Sequence, residues 1–503
     1  MRNRIFKIRP PRNVRLIAIT ASLLLAAGAA PALYSQDMAW TASYGGQLNE
    51  DGYAGCVTAD GGYAVLGSTF SYGAGDFDLY LLRLDSLGDT LWTAIFGGPA
   101  ADQGYDIQQT ADGGFILVGE TSSFGAGESD VYLLKIDFLG GVVWSKTYGY
   151  SGREEGWSVR QTSDEGFIVA GKTNSIGAGV DDFYLIRTSS TGDTLWTRTF
   201  GGTSGETAYS VRATLDGGFI VFGTTGSFGS GYSSMYAVKL DSLGDSLWSK
   251  TYGGDKSDLG YAVEVAPDGG FIFAGATASY GAGYSDVYLV KTDPDGLLEW
   301  DRFFGGTEDD RGLSVQIAPD GGYLVAGRTQ SYGSGQYDMY AVRTDPVGFP
   351  VWTQTYGGEK SDYCRKALSH PDGFVLVGYT YSYSVGGSDA YLVKVLDNQA
   401  TWVSEPEQLL PRDFQLAQNY PNPFNLSTVI EFNVDRRSDF SLTIFNILGQ
   451  RVRRWYLGSL PIGLHAVTWD GLDDLGREVS SGVYLYRLNT GKQQLTRKMV
   501  LLK

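Results

Sequence analysis

The sequence is poor in the residues on which most enzyme chemistry and most metal centres depend. Among 503 residues there are only two cysteines, Cys56 and Cys364, and two histidines, His370 and His465. So few of these side chains exclude most His-based catalysis and most Cys/His zinc sites. Phosphate-binding P-loops, dinucleotide fingerprints and G-x-S-x-G elbows are also missing from the sequence. We therefore predict a protein that is not an enzyme.

Positive charge is scarce as well, with 39 Lys and Arg against 56 Asp and Glu, a formal net charge of -17. A nucleic-acid partner is excluded, because phosphates require a basic surface. The acidity is uneven: residues 414–503 hold 11 basic against 7 acidic side chains, whereas residues 1–413 hold 28 against 49. The last segment therefore differs in kind from the strongly acidic body.

Long apolar runs are absent beyond the N-terminus. Six basic residues precede the apolar stretch Leu16–Ala30, and Ala30-Pro31-Ala32 follows as an A-x-A cleavage site. The alternative, an uncleaved anchor, requires a longer run than this one. We predict a signal peptide over residues 1–32 and a secreted or outer-surface location for the mature protein.

What the sequence has in abundance is glycine, 70 residues, together with tyrosine and phenylalanine in a regular pattern. Tryptophan, a turn aspartate and an aromatic residue each recur seven times with a step of 52 residues, which is the signature of a repeat architecture. The tryptophans are Trp40, Trp92, Trp144, Trp196, Trp248, Trp300 and Trp352, and the aspartates are Asp60, Asp112, Asp164, Asp216, Asp268, Asp320 and Asp372.

Each repeat contains four strand-like runs. In the second copy these are "YDIQQT", "FILVGET", "VYLLKID" and "VVWSKTYG", separated by glycine-containing turns and loops. Four antiparallel strands per repeat of about 50 residues are typical of a propeller blade, which buries its faces only against neighbours. The sequence predicts an all-β fold: a seven-bladed β-propeller over residues 33–403, and a monomer.

The phase of the repeat predicts how the ring closes. A lone outer strand around Trp40 precedes the first inner strand, so it can complete the seventh blade; a second candidate lies near Trp402. Closure removes free sheet edges. It would also bring the first and last repeats together, which would allow a Cys56–Cys364 disulfide. The two cysteines occupy non-equivalent repeat positions, however, which argues against that bridge.

The turn "LDSLGDTLW", with Asp85, Gly88 and Trp92, resembles the tryptophan-docking motif of quinoprotein-type propellers. The resemblance implies the fold only. The cofactor-stacking and metal-binding residues of those dehydrogenases have no counterparts here, so no quinone or other organic cofactor is expected.

The repeat ends before Phe414. After a linker at residues 404–413, the chain contains "NYPNPFN" (419–425), "LGQ" (448–450), "WDG" (469–471) and "SGVY" (481–484), and it ends at Lys503. Residues 414–503 resemble the type A C-terminal sorting domain of type IX secretion substrates. They are also similar to the Ig-like module of the flagellar hook-capping protein. The resemblance implies a small β-sandwich, the outer-membrane type IX secretion machinery as partner, and release or attachment outside the cell. The alternative is an Ig-like spacer without a sorting role.

Any residue repeated seven times forms a ring in a closed propeller. One acidic residue per repeat could encircle the channel mouth and bind Ca²⁺, whose preference for oxygen ligands fits carboxylates. The alternative, which occupancy of all seven repeats favours, is that each carboxylate accepts N–H bonds in its own connection. The candidate metal ligands are Glu50, Asp102, Glu154, Glu206, Asp258, Asp310 and Asp362.

Two further rings come from the "S-[YF]-G-[AS]-G" loops, on the face where long loops gather and binding residues usually lie. Exposed aromatic and carboxylate side chains would suit sugar rings and hydroxyl groups; the alternative is that the aromatics pack inward. The candidate ligand-binding residues are Tyr72, Phe124, Phe228, Tyr280, Tyr332 and Tyr383, with Asp78, Asp130, Asp182, Asp286, Asp338 and Asp389.

The function predicted is non-catalytic binding of an extracellular glycan or protein. A carbohydrate-active hydrolase or lyase is one alternative, since paired carboxylates can do acid–base work, and a structural spacer or adhesin is another. The uniformity of the blades argues against an active site, which would break the symmetry. The visible departures from the repeat are Arg153, Glu155, Trp157, Lys256, Arg311 and residues 363–366.

Overall fold

The computed structural model describes residues 38–397, 415–416, 419, 422, 424–425, 427–434, 438–460, 463–490 and 494–502. The chain divides into two compact units, Met1–Trp402 and Val403–Lys503. The predicted signal peptide, the linker at 404–413 and the candidate strand near Trp402 lie outside the described residues. A helix long enough and apolar enough for a membrane span does not occur in the described part of the chain.

The first unit consists of antiparallel four-stranded sheets, which confirms the predicted blades. Blade 1 contains β2 (Glu50–Val57), β3 (Tyr63–Thr69), β4 (Asp78–Leu84) and β5 (Thr90–Phe96). Blade 2 contains β6 (Asp102–Gln109), β7 (Phe115–Thr121), β8 (Asp130–Ile136) and β9 (Val142–Tyr148). Blade 3 contains β10 (Glu154–Gln161), β11 (Phe167–Thr173), β12 (Asp182–Thr188) and β13 (Thr194–Phe200).

The remaining blades follow the same order from the innermost to the outermost strand. Blade 4 contains β14 (Glu206–Ala213), β15 (Phe219–Thr225), β16 (Ser234–Leu240) and β17 (Ser246–Tyr252). Blade 5 contains β18 (Asp258–Val265), β19 (Phe271–Thr277), β20 (Asp286–Thr292) and β21 (Leu298–Phe304). Blade 6 contains β22 (Asp310–Ile317), β23 (Tyr323–Thr329), β24 (Asp338–Thr344) and β25 (Pro350–Tyr356).

Blade 7 combines the two ends of the repeat region. Its inner strands are β26 (Asp362–His370), β27 (Gly373–Thr380) and β28 (Asp389–Leu396), and its outer strand is β1 (Met38–Tyr44). Strand β1 pairs antiparallel with β28, with Trp40 opposite Lys394 and Tyr44 opposite Ala390. Strand β26 also contacts β2, so the innermost strands form a closed circle. The predicted closure by the strand at Trp40 is confirmed.

The core lies between the blades rather than within them. Strands β3 and β4 are buried along their whole length, because both faces of a middle strand meet a neighbouring blade. Leu66 of blade 1, for example, shares a cluster with Ile107 and Leu117 of blade 2. Continuous apolar runs in the middle strands and alternating patterns in the innermost strands follow from this arrangement.

The repeated tryptophans join neighbouring blades at their outer edges. The ring of Trp144 in blade 2 packs edge-on against Phe167 of blade 3, with 5.9 Å between ring centroids. Its indole N–H donates to the Ser190 carbonyl at 3.2 Å, beside Gly192, whose φ of 80° forms the tight turn. Tyr148 donates to the Gly192 carbonyl at 2.6 Å. The same docking of a tryptophan onto the turn of the next blade recurs for Trp40, Trp92, Trp144, Trp196, Trp248 and Trp300.

Both cysteines are free thiols in the structure. Cys56 on β2 is half-buried and Cys364 on β26 is buried. The bridge that ring closure would allow is not formed, and the propeller is held together by its packed core and its circular strand pairing.

The second unit is a two-sheet β-sandwich, as the resemblance implied. Its strands are β29 (Gln415–Leu416), β30 (Thr428–Val434), β31 (Ser438–Asn446), β32 (Arg451–Leu460), β33 (Gly463–Trp469), β34 (Gly482–Asn489) and β35 (Gln494–Leu501). They form the sheets β29-β30-β33 and β32-β31-β34-β35. Trp469, Phe432 and Tyr486 lie in the core between them.

The "NYPNPFN" segment fastens the start of this sandwich to its end. The Asn419 side-chain amide donates to the Thr428 hydroxyl at 2.9 Å, and the Val500 N–H donates to Asn422 Oδ1 at 2.8 Å. Phe424 is buried against Trp469, with 5.6 Å between ring centroids. The motif therefore has a structural role within the module.

Candidate functional site

Each innermost strand of the propeller carries a β-bulge at the same repeat position. In blade 1, Gly52 pairs with Gly67 and Ala54 pairs with Leu66, so Tyr53 is the extra residue. A bulge re-aims the side chain it carries. The bulged residues line one cavity at the centre of the ring, and all are half-buried: Tyr53, Tyr105, Trp157, Tyr209, Tyr261, Leu313 and Arg365.

Close backbone contact explains the small residues around the bulge. A Cβ atom on Gly52 would lie 2.6 Å from the Gly378 carbonyl oxygen of the neighbouring blade. A Cβ atom on Gly67, opposite the bulge, would lie 1.7 Å from the Asp51 carbonyl oxygen. Glycine at both positions therefore lets two blades meet while Tyr53 faces the channel.

Five of the bulged side chains form an aromatic belt around the cavity. Tyr105 and Trp157 are stacked, with 4.1 Å between ring centroids and an interplanar angle of 15°. Tyr53 meets Tyr105 edge-on at 5.6 Å, and Trp157 meets Tyr209 edge-on at 5.3 Å. The cavity volume is about 330 Å³, within the range of roughly 300–1,000 Å³ found for small-molecule sites.

Carboxylates of blades 2 and 3 hold the stacked pair in place. Tyr105 donates its hydroxyl to Glu120 Oε1 at 2.7 Å, and the Trp157 indole N–H donates to Glu155 Oε2 at 3.0 Å. Lys172 forms an ion pair with Glu155 at 3.3 Å. Burial is the main cause that raises the pKa of Glu155, with the Lys172 charge opposing it. The orientation of both rings is thus fixed before a ligand arrives.

Two buried ion pairs lie beside the belt. Arg160 contacts Asp106 at 2.5 Å, and Arg212 binds Glu264 through two hydrogen bonds of 2.8 and 2.5 Å. Burial is the largest effect and raises the pKa of Asp106, but the charges of Arg160, Lys366 and Arg212 together outweigh it and hold the pKa below its ordinary value. These charges are mutually compensated, as buried charges must be.

Four basic side chains line the opposite wall, from blades 6 and 7. Arg311 and Arg328 share the Asp309 carboxylate, at 3.0 and 3.4 Å. Arg365 lies over the rings of Tyr53 and Tyr379, at 5.4 and 5.5 Å from their centroids.

The positive charges of Arg365 and Lys366 interact with carboxylates only at longer range: Asp51 acts on Arg365, and Asp106 and Glu264 act on Lys366. Neither forms an ion pair with any residue that the structure describes; Arg365 donates to the Tyr379 hydroxyl at 3.2 Å. Burial lowers the pKa of Lys366 to about 8. The channel wall therefore contains two cations, adjacent in sequence, that form no direct ion pair.

The seven acidic residues predicted as metal ligands lie elsewhere than expected. Each is fully buried at the start of an innermost strand, where two blades join. Glu50 accepts N–H bonds from Gly46 at 2.5 Å and Ser71 at 3.0 Å and a hydroxyl bond from Thr69 at 2.8 Å. The Glu50 N–H donates to the Ser388 carbonyl of blade 7 at 2.7 Å.

The same junction is repeated around the ring, with these carboxylates: Glu50, Asp102, Glu154, Glu206, Asp258, Asp310 and Asp362. Among the described residues, no group of three or more His, Cys, Asp or Glu side chains is arranged to hold a metal ion. Each carboxylate closes its own blade junction in this geometry, which fits the alternative interpretation, and a metal-binding role stays a prediction.

The loop aspartates are also buried rather than presented to solvent. Asp78 accepts the Ala74 N–H at 2.9 Å, and Asp130 accepts the N–H groups of Ala126 and Gly127 at 2.8 and 3.1 Å. Each closes its own glycine-rich loop in this way. The set is Asp78, Asp130, Asp182, Asp286, Asp338 and Asp389.

The loop aromatics have one packed face and one open face. Each packs against the tyrosine of the third strand of its own blade, with 5.4 to 6.0 Å between centroids. Phe228, Tyr280, Tyr332 and Tyr383 are 40–46% exposed, and Tyr72 and Phe124 are half-buried. A binding role for this loop ring stays a prediction.

The bulged positions escaped sequence analysis as a set. Trp157, Arg365 and Lys366 stood out only as departures from the repeat. The signal that could have found the set is a variable residue three positions after the junction carboxylate. This residue directly follows Gly or another small residue. The direction in which this side chain points, however, depends on the bulge, which the sequence does not indicate.

Comparison with protein families confirms the likeness of the second unit. The model of the FlgD Ig-like domain matches residues 425–494. The regulatory protein FlaEY of Caulobacter vibrioides is 28% identical over 222 residues, which cover 39% of this chain and 23% of that protein. The chain thus matches less than a quarter of the length of this relative.

Several solved structures are similar to the chain at low identity. PorZ, a surface component of the type IX secretion system of Porphyromonas gingivalis, is 11% identical with a TM-score of 0.38, covering 92% of this chain and 60% of PorZ. The β-propeller domain of the Trilobed protease from Pyrococcus furiosus is 10% identical with a TM-score of 0.37, covering 74% of this chain and 100% of that domain. Endo-1,5-alpha-L-arabinanase of Thermotoga petrophila is 10% identical with a TM-score of 0.23, covering 68% of this chain and 82% of that enzyme. At these values no ligand or activity is transferred to this chain.

Proposed function

We propose that this chain is an exported, non-catalytic binding protein whose central channel holds a small ligand. One observation carries the proposal: seven β-bulges direct side chains into a single cavity of about 330 Å³, which a stacked Tyr105–Trp157 pair lines together with Arg365 and Lys366. Concave sites with aromatic walls and a few convergent polar groups are typical of ligand pockets. An aromatic surface fixed in advance loses little entropy when a ring stacks on it.

The state of the channel carboxylates supports binding rather than catalysis. Glycoside hydrolysis uses two carboxyl groups that flank the scissile bond. Here Asp106 is held by Arg160, Glu155 by Lys172 and Trp157, and Glu120 accepts the Tyr105 hydroxyl. These ion pairs and hydrogen bonds hold the side chains of the cavity wall in place. Cleavage of a glycan by the purified protein would favour the carbohydrate-active alternative instead.

Export by the type IX machinery, with release or retention at the cell surface, is the second part of the proposal. It is supported by the sorting-domain motifs in residues 414–503 and by the Ig-like sandwich in which they are placed. In a bacterium with this secretion system, a chain lacking residues 414–503 should remain inside the cell envelope. Finding the truncated chain outside the cell would show that the module is only a spacer.

The binding site can be tested with a panel of glycans and small sugars against the full chain, by thermal shift and then calorimetry. Trp157→Ala should abolish the binding of whichever ligand is found. Phe228→Ala, which removes a half-exposed aromatic ring from the loop face, is the matched control and should bind normally. The reverse outcome would place the site on the loop ring and overturn the channel proposal.

A further inference from the structure

Basic side chains outnumber acidic side chains in the channel wall. The cavity wall contains four basic side chains, Arg311, Arg328, Arg365 and Lys366, but only one acidic side chain, Asp106. This excess stands out in a chain whose formal net charge is -17. A cation taken out of water is costly unless it is paired.

Three of these side chains have a direct ion-pair partner. Asp106 is bound by Arg160, and Arg311 and Arg328 share Asp309. Arg365 and Lys366 form no direct ion pair among the described residues, and Asp51, Asp106 and Glu264 act on them only at longer range. Both are in blade 7, and the equivalent positions of the other blades are not basic. Blade 7 therefore adds two cations to the channel wall that no other blade has at these positions.

The rest of the wall combines flat rings with hydroxyl groups. Trp157 and Tyr105 form a stacked aromatic pair, and Tyr209 and Tyr261 add phenol groups to the same wall. Such a surface suits a ring that carries several hydroxyl groups, because its apolar face can stack while its edge forms hydrogen bonds.

We propose that the channel ligand is a sugar acid, whose single carboxylate is bound by Arg365 and Lys366 while its ring lies against the aromatic belt. This rests on the proposed function and specifies its ligand class. The planar guanidinium of Arg365 matches a carboxylate through two parallel hydrogen bonds.

The experiment uses calorimetry on the full chain with D-galacturonate, its methyl ester, D-galactose and benzoate. The acid and its ester share one ring and differ in charge. The acid should bind at least tenfold more tightly than the ester or galactose, and more tightly than benzoate. Arg365→Gln and Lys366→Gln should each weaken the binding of the acid by about 10- to 100-fold, the usual cost of losing a charge-assisted hydrogen bond.

Two variants control for misfolding and for general charge effects. Arg365→Lys keeps the charge and should recover part of the affinity. Lys360→Gln removes an exposed lysine from a loop outside the channel and should leave affinity unchanged.

Equal binding of acid and ester, with Arg365→Gln neutral and Trp157→Ala deficient, would overturn the sugar-acid assignment and leave the proposed function standing. Benzoate binding as tightly as galacturonate would likewise overturn it, in favour of aromatic acids. Failure of the acid to bind at millimolar concentration would also overturn it. The proposed function itself falls only if the wider panel fails too.

Discussion

Trp157 of blade 3 stacks on Tyr105 of blade 2 with 4.1 Å between their ring centroids, and the two rings are almost parallel. Both residues are β-bulges, and each is held by a carboxylate of its own blade, Glu155 and Glu120 respectively. The pair thus joins two blades in the channel wall with rings that remain half-open to the cavity. A structural contact and a binding surface are combined in one place.

Two tryptophans should respond very differently to truncation. Trp352 on the outer strand of blade 6 is 1% exposed and packed in a core cluster, so Trp352→Ala should lower the free energy of unfolding by about 3–5 kcal/mol. Trp157→Ala should cost only about 1 kcal/mol, because the ring faces the channel and loses mainly its stacking partner. Urea denaturation of both variants measures the difference. Similar losses would show that Trp157 is a core residue.

The junction carboxylate of blade 4 should stabilise the ring directly. Glu206 is fully buried and accepts bonds from the Gly202 N–H, the Ser227 N–H and the Thr225 hydroxyl, at 2.8, 3.0 and 2.8 Å. Glu206→Gln replaces an acceptor by a donor and should lower the free energy of unfolding by about 2 kcal/mol.

The exposed Glu308→Gln is the control for that change and should have no measurable effect on the urea midpoint. The same wild-type protein should melt at the same temperature with calcium and with chelator. A melting temperature that rises with calcium would return these carboxylates to the role of metal ligands.

Strand β1 should account for much of the stability of the closed ring. Deleting residues through Gly46 exposes the edge of β28 and removes the contacts of Trp40 and Tyr44 with the first blade. We expect a loss of several kcal/mol in the free energy of unfolding, a large part of the total of a typical domain. An unchanged urea midpoint would mean that another segment can take the same edge.

The pH dependence of stability should reveal Asp389. Burial, in the first place, raises the pKa of this carboxyl group to about 6, although the Val385 N–H bond opposes the shift. Since the folded value lies above the unfolded value, its stabilising contribution is complete below about pH 4 and is lost as the pH rises through 6.

Asp389→Asn removes this titration. Its melting temperature relative to wild type should therefore increase between pH 4 and pH 7, measured by differential scanning calorimetry. A constant difference over that range would show that Asp389 does not titrate there.

The architecture was predictable because it depends on repetition. A step of 52 residues at Trp40 and its equivalents predicts identical blades, and a strand before the first inner strand predicts closure, whatever the local details. The hydrogen bonds of Glu50 fit the alternative of a carboxylate that closes its own connection, since a residue needed at every junction must occur in every repeat.

The candidate site was not predictable in the same way. Tyr53 and Arg365 sit at equivalent positions, yet whether such a side chain faces the channel or the next blade is decided by a one-residue bulge. The lack of a direct ion pair at Arg365 and Lys366 is likewise a property of the folded ring, since the carboxylates that act on them, Asp51, Asp106 and Glu264, come from other blades. Sequence patterns indicate faces of strands, but they do not indicate which charges remain unpaired.

The most direct measurement is a crystal structure of the full chain soaked with D-galacturonate. We expect one bound molecule in the channel, with its carboxylate on Arg365 and Lys366 and its ring against the aromatic belt. A molecule bound on the loop face beside Tyr280 or Tyr332, with an empty channel, would contradict it.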